Sequence, residues 1–146
     1  MARRINAAGL QLVKDFEGCK LAAYLCPAGV PTIGFGSTGS HVRMGMRISQ
    51  GEADELLLED LERFEKGVER LVGNASTSDN QFAAMVSLAF NIGLDAFAGS
   101  TVLKRHKLGN HIGASNAFVR WNKARGKVVP GLIRRREAEA RLYRAG

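Results

Sequence analysis

The stretch from Ser49 to about residue 73 constrains the fold most. "SQGE", Ser49 to Glu52, has the spacing of a capping box, in which a serine hydroxyl and a glutamate carboxylate each accept the other's backbone N–H. Behind it Ala53, Leu57, Leu61, Phe64, Val68 and Leu71 recur at helical spacing. That pattern predicts one helix of roughly six turns. In a chain of 146 residues a helix of this length is expected to join two lobes.

The flanking sequence differs on the two sides. Asn6 is an acceptable N-cap and Gly18 a typical residue just past a helix end, so a first helix is expected between them. From Leu21 to about Arg47 the texture turns to Gly, Pro, Thr, Ser and β-branched residues. "PTIGFG" reads there as a short strand between turns, in an antiparallel sheet of two or three strands. After the connector a second box, Ser78-x-x-Gln81, opens the apolar helix that ends near Asn91-Ile92-Gly93. "TVLKRHKLG" and "NHIGASNAFVRW" read as further helices, "NKARGKVVPG" as a basic loop, and "LIRRREAEARLYRAG" as a closing helix. Its apolar share is Leu132, Ile133, Ala140, Leu142 and Tyr143. The expected class is α+β, mainly helical, in one domain: a small β lobe over 18–48, a connecting helix over 49–73 and a helical lobe over 74–146. A ligand site is expected in the cleft between such lobes.

Composition narrows the setting. The 45% apolar share supplies a core and 24% charged residues argues against disorder. Cys19 and Cys26 are too few for a disulfide framework, which predicts folding in a reducing cytosol. "MARRINAAGL" lacks the apolar segment of a secretory signal, and "FAAMVSLAFNIG" is too short to span a bilayer. The net charge of +7 is uneven: +4 over 1–50, −6 over 51–80 and +9 over 81–146. The acidic block is expected on the exposed face of the connecting helix, and the basic remainder favours an anionic partner. His41, His106 and His111 are scattered, with the last two read as surface residues, so no metal set is expected. "GFGSTG" is followed by no helix, so it is not a phosphate-binding loop.

Three polar residues at the sheet border carry possible chemistry. Glu17 shares a helical stripe with Leu10 and Val13 and lies in the last turn. Apolar neighbours and a helix C-terminus both favour a protonated carboxyl, which suits a proton donor. An exposed structural glutamate fits the same spacing. Taken alone, Cys26 reads as a small buried strand residue before a nucleophile, and Thr32 as a plain strand former before a water-holding hydroxyl. Spacing alone does not choose.

Glu17, Cys26 and Thr32, with "PTIGFGSTG" between and after them, resemble the active-site pattern of the phage-type lysozymes, endolysins of glycoside hydrolase family 24. That pattern is Glu, eight residues, Asp or Cys, five residues, Thr. "SLAFNIGLDAFAGSTVLKRHKLGN", "AFVRW" and "GLIRRREAEARLY" are similar to its later helices, so the likeness covers nearly the whole chain in order. The resemblance implies a lysozyme-like fold and hydrolysis of the β-1,4 bond between N-acetylmuramic acid and N-acetylglucosamine in bacterial peptidoglycan. It implies Glu17 as general acid, Cys26 in the place usually held by an aspartate, and Thr32 orienting the attacking water. Thr38, Phe90 and Ser100 would line the sugar-binding cleft. No cofactor or metal is implied, and the partners expected are peptidoglycan alone, with neither nucleic acid nor membrane insertion. The resemblance further implies a monomer held in the host cytoplasm and released by a separate holin to lyse the cell.

Two departures stand out. Ser37 occupies a position where the family has a structural histidine, which puts local stability in question. An unperturbed thiol has a pKa of about 8.5, so Cys26 needs a cationic neighbour to work as thiolate. The arginines at 134–136 are candidates, either for that or for pairing with Glu17. Cys19 is expected in the core, with a regulatory Cys19–Cys26 disulfide as the alternative. The competing functions are a lytic transglycosylase, which needs no activated water, and a non-catalytic wall-binding or nucleic-acid-binding basic protein.

Overall fold

The computed structural model describes residues 2–146. Asn6 opens the first helix as its residue type suggests: its side-chain oxygen accepts the Gly9 N–H at 2.9 Å. Helix α1 runs Ala7–Glu17 and stops where the Gly18 N–H bonds the Lys14 carbonyl. Strands β1 (Lys20–Leu25) and β2 (Pro31–Gly34) follow as an antiparallel pair, with Tyr24 opposite Thr32 and Leu25 opposite Pro31. The other edge of β1 is held by the Ala23 N–H on Met46 O and the Ile48 N–H on Leu21 O, both at 2.9 Å. A small antiparallel sheet beside a mostly helical remainder is the α+β class expected.

Helix α2 runs Gln50–Val72, the span over which one long helix is expected. Its box forms as read, with the Ser49 N–H on Glu52 Oε1 and the Glu52 N–H on Ser49 Oγ, each 3.1 Å. Helix α3 (Asp79–Ile92) opens on the complete Ser78–Gln81 box. Next come α4 (Leu94–Ala98), α5 (Thr101–Lys107), α6 (His111–Ala117) and a 3-10 turn over Phe118–Arg120. A two-stranded ribbon, β3 (Lys123–Ala124) and β4 (Lys127–Val128), leads to α7 (Pro130–Arg144). The segment expected as a basic loop is thus a hairpin.

The chain forms two compact units, one over 14–63 and one over 2–13 with 64–146. In the first, Ile33, Phe35, Val42, Ile48, Ala53, Leu57 and Leu61 are buried, and Gly34 of β2 lies close to Ala53 of α2. In the second, α3 is buried from Gln81 to Ala89, and α7 packs against it. Each large apolar side chain enclosed there, such as Phe82 or Leu88, contributes about 2–3 kcal/mol. Gly9 lets α1 approach α3, since a Cβ there would lie 2.6 Å from the Ala83 Cβ. The amino-terminal arm is tied to the same unit. The Arg3 guanidinium donates to Thr77 O at 2.7 Å and lies over the Phe82 ring.

Several polar side chains lie where patterning does not put them. The core-facing residues of α7 include Arg135, Arg136 and Glu139, all buried, as well as Ala140 and Tyr143. Glu139 Oε1 pairs with Arg136 Nε at 2.7 Å, and its Oε2 accepts from Ser87 Oγ and Arg135 Nε. Burial raises the Glu139 carboxyl pKa, against the pull of the two guanidiniums. Glu65, read as part of an exposed acidic face, is buried and accepts the Ile5 N–H at 2.6 Å and Arg4 Nε at 2.8 Å.

His106, expected at the surface, is buried because it completes a hydrogen-bonded chain. Tyr143 Oη lies 2.5 Å from its Nδ1, Thr77 Oγ1 lies 2.8 Å from its Nε2, and the Thr77 hydroxyl donates to Ala75 O. His111 is exposed, as expected, with its ring stacked on His106 at 5.3 Å. Cys19, expected in the core, is exposed: it lies in the link between α1 and β1, where the Gln50 amide reaches its sulfur at 3.8 Å. Both cysteines are free thiols.

Candidate functional site

Glu17, Cys26 and Thr32 all belong to the unit over 14–63. Glu17 is the last residue of α1, partly exposed, and the turn after β2 lies against it. A Cβ on Gly36 would meet Glu17 Oε1 at 3.7 Å, and Gly36 has φ +92, a conformation L side chains rarely adopt. A bare backbone therefore borders the carboxylate. Cys26 follows β1 directly and Thr32 lies in β2, across the tight loop that joins them. The loop is closed by the Cys26 N–H on Val30 O (3.0 Å) and the Gly29 N–H on Cys26 O (2.8 Å).

This loop turns backbone N–H groups toward the sulfur. Donors from Val30 and Ala28 lower the Cys26 pKa, opposed by partial burial and assisted by the Thr32 hydroxyl and the Gly29 N–H. The cause is backbone and hydroxyl hydrogen bonding, and not the cationic neighbour expected. Thr32 is buried, and its hydroxyl donates to Val30 O at 2.9 Å. One proton serves either that carbonyl or the sulfur, which leaves the oxygen's lone pairs to accept a hydrogen bond. Arg135 and Arg136 meanwhile hold Glu139.

Ser37, read as a weak point, is buried and well bonded. It exchanges two backbone hydrogen bonds with Ile33, and its hydroxyl lies 3.3 Å from His41 Nε2. The hydroxyl also bonds Asp60, whose carboxyl is raised by burial and pulled back by Ser37 and His41. His41, four residues along, brings an imidazole to that hydroxyl.

Of the expected sugar contacts, Thr38 is exposed just beyond β2, in the same unit as the three residues above. Phe90 and Ser100 belong to the other unit. Phe90 is half-buried, its ring edge-on to Phe64 at 5.1 Å. Ser100 is buried as the N-cap of α5, where its Oγ accepts the Leu103 N–H. A cavity of about 580 Å³ opens in that unit by Ser78, Gln81, His111, Ser115 and Tyr143, and none of Glu17, Cys26 or Thr32 lines it. Among the described residues, no group of three or more His, Cys, Asp or Glu side chains is placed to hold a metal ion.

A small sheet carrying this loop, a long helix and a helical unit are features of a lysozyme fold, and the chain belongs to the phage lysozyme family, which it matches over residues 14–139. It is 42% identical to the endolysin of Bacillus phage B103 over 147 residues, covering 97% of this chain and 54% of that protein. The chain therefore spans about half the length of that relative. Two solved structures are similar over nearly their whole length. The endolysin from Escherichia coli O157:H7 phage FAHEc1 superposes with a TM-score of 0.90 at 39% identity, covering 98% of this chain and 94% of that one. A mutant of P22 lysozyme superposes at 0.89 and 43%, covering 97% and 98%.

Proposed function

We propose that this chain is an endolysin that hydrolyses the β-1,4 bond between N-acetylmuramic acid and N-acetylglucosamine in bacterial peptidoglycan. Glu17 gives its proton to the glycosidic oxygen as the bond to the anomeric carbon breaks. A water oxygen, held by Thr32, forms the new bond to that carbon, and its proton passes to the Cys26 thiolate. Thr38, Phe90 and Ser100 contact the glycan. The observation that carries this reading is the tight loop that brings Cys26, at the end of β1, close to Thr32 in β2, in the unit where Glu17 ends α1 beside the bare backbone of Gly36. That loop supplies what a cysteine needs to stand where the family's usual residue is an aspartate.

In the same reading the protein acts as a monomer and reaches the wall after a holin opens the host membrane. No helix among the described residues is long and apolar enough to cross a membrane. The test is mass spectrometry of the soluble products from purified peptidoglycan, with wild type beside Glu17→Gln and Cys26→Ala. Reducing-end N-acetylmuramic acid, lost in both variants, is the expected result. Anhydro-muramic ends would make the protein a lytic transglycosylase, and wall binding without any release would make it a binding protein.

A further inference from the structure

Positive charge accumulates where nothing neutralises it. Ten Lys and Arg residues, and no Asp or Glu, lie between Asp95 and Glu137. Some of them are occupied: Arg135 and Arg136 hold Glu139, Arg105 donates to Gly113 O, and Arg120 donates to Thr101 Oγ1. Lys123, Arg125 and Lys127 differ. They put three cations into five residues of the β3–β4 ribbon, and all three are exposed. Among the described residues none of their side chains forms an ion pair or hydrogen bond, whereas Arg3, Arg4 and Lys14 each hold a carboxylate.

The register sets where these cations point. Lys123 pairs with Val128 and Ala124 with Lys127. Directly opposed residues share a face and successive residues alternate, so the two lysines project from opposite faces with Arg125 at the tip. The ribbon is cationic on both faces and at its end.

The tip is also strained. Arg125 has φ 53 and Gly126 φ 78, the signs of a type I′ turn, which favours Asn, Asp or Gly at its first central position. Arg125 is the only non-glycine residue with positive φ among those described. Its Cβ crowds the following carbonyl, and among the described residues no side-chain hydrogen bond or ion pair offsets that cost. A strained residue whose side chain forms no internal bond directs attention outward, to a ligand.

We propose that this hairpin is a docking element for a phosphate-bearing anionic polymer of the cell envelope, gripped at its phosphodiesters by Lys123, Arg125 and Lys127. The proposal rests on the wall-hydrolysing reading for where the protein works, while the hairpin's binding is tested separately. A polymer with one negative charge per repeat can follow the ribbon across face, tip and face, and a guanidinium offers phosphate two parallel hydrogen bonds. A nucleic acid shares that charge pattern but gains affinity from aromatic platforms, and the nearby Trp121 is half-buried.

The experiment uses the full chain, as wild type, Arg125→Asn and the double variant Lys123→Gln/Lys127→Gln. Three quantities are measured: melting temperature, turnover of a soluble phosphate-free muropeptide oligosaccharide, and co-sedimentation with walls carrying poly(glycerol phosphate). Sedimentation is repeated across a salt series and on walls stripped of that polymer by hydrofluoric acid. Asn accepts the turn's backbone, so Arg125→Asn melts at or a few degrees above wild type. Soluble turnover stays unchanged, while binding to native walls falls several-fold. The log–log salt slope becomes shallower by about one for Arg125→Asn and about two for the double variant, as each lost phosphate contact releases fewer counterions. Stripped walls bind all three proteins alike.

Unchanged sedimentation of both variants on native walls would overturn the proposal. An equal defect on stripped walls would assign the hairpin to glycan or peptide instead, and a loss of soluble turnover would assign it to the active site. Duplex DNA displacing native wall at equal phosphate concentration would make nucleic acid the partner. If wild type fails to turn over the oligosaccharide while the sedimentation differences persist, the hydrolase reading falls and the docking element stands.

Discussion

Protonating His106 is the perturbation whose cost follows most directly from the structure. The ring is 1% exposed, and both nitrogens are committed. Nδ1 accepts from the Tyr143 hydroxyl and Nε2–H donates to Thr77, whose own proton goes to Ala75 O. A second ring proton would face an oxygen that is already donating, with the His111 ring stacked 5.3 Å away. Burial, with a smaller contribution from His111, lowers the His106 pKa from 6.5 to about 4. The folded protein thus holds the neutral ring, and the stabilisation is complete above pH 6.5. It is lost as pH falls toward 4, by about 3 kcal/mol at that point. Asp60 and Glu139, whose pKa values are raised, act in the opposite direction and would mask the effect in wild type alone. Urea unfolding of wild type and His106→Gln at matched pH cancels them. The stability difference between the two proteins should shrink by about 3 kcal/mol between pH 7 and pH 4. A constant difference, or an imidazole resonance of His106 titrating at or above pH 6, would refute the reasoning.

Three further outcomes follow from single contacts. Glu139→Gln leaves Arg135 and Arg136 buried against a neutral amide and should cost about 3–5 kcal/mol in chemical denaturation; a cost below about 1 kcal/mol would mean that the carboxyl is already protonated in the fold. Ser78→Ala removes one half of the α3 capping box and should cost about 1 kcal/mol, read from the same curves. In a Cys19→Ser background, alkylation of Cys26 by iodoacetamide should show a pH midpoint below the ordinary thiol range, because the N–H groups of Val30 and Ala28 favour thiolate; a midpoint at or above that range would remove the argument for a reactive sulfur.

What was legible in the sequence was local. Both capping boxes, the Asn6 start and the Gly18 stop depend on residues within four positions of one another, and all four form as read. The β3–β4 hairpin was hidden because its strands are two residues long and its turn is Arg-Gly, which lacks the usual asparagine or aspartate. The buried charges of α7 were hidden for another reason: helical spacing places Arg135, Arg136 and Glu139 on a face, but Ser87, which helps to satisfy them, comes from 48 and 52 residues away. His106 is the same case, since Tyr143 and Thr77 are invisible as partners until the chain folds. In the candidate site, Glu17, Cys26 and Thr32 could be picked out by resemblance. The backbone donors that lower the Cys26 pKa carry no side-chain signature at all.

The division of the chain into units has a consequence for its synthesis. Residues 14–63 are contiguous, so the unit holding Cys26 and Thr32 has all its parts once that segment has left the ribosome. The other unit is split, and its first thirteen positions must wait. Arg3 has no Thr77 to bond, and Gly9 no Ala83 to pack against, until 74 further residues have been made in each case. At ordinary elongation rates of about 5–20 residues per second, that is an interval of several seconds. During it residues 2–13 lack these partners, and their later docking closes a large loop.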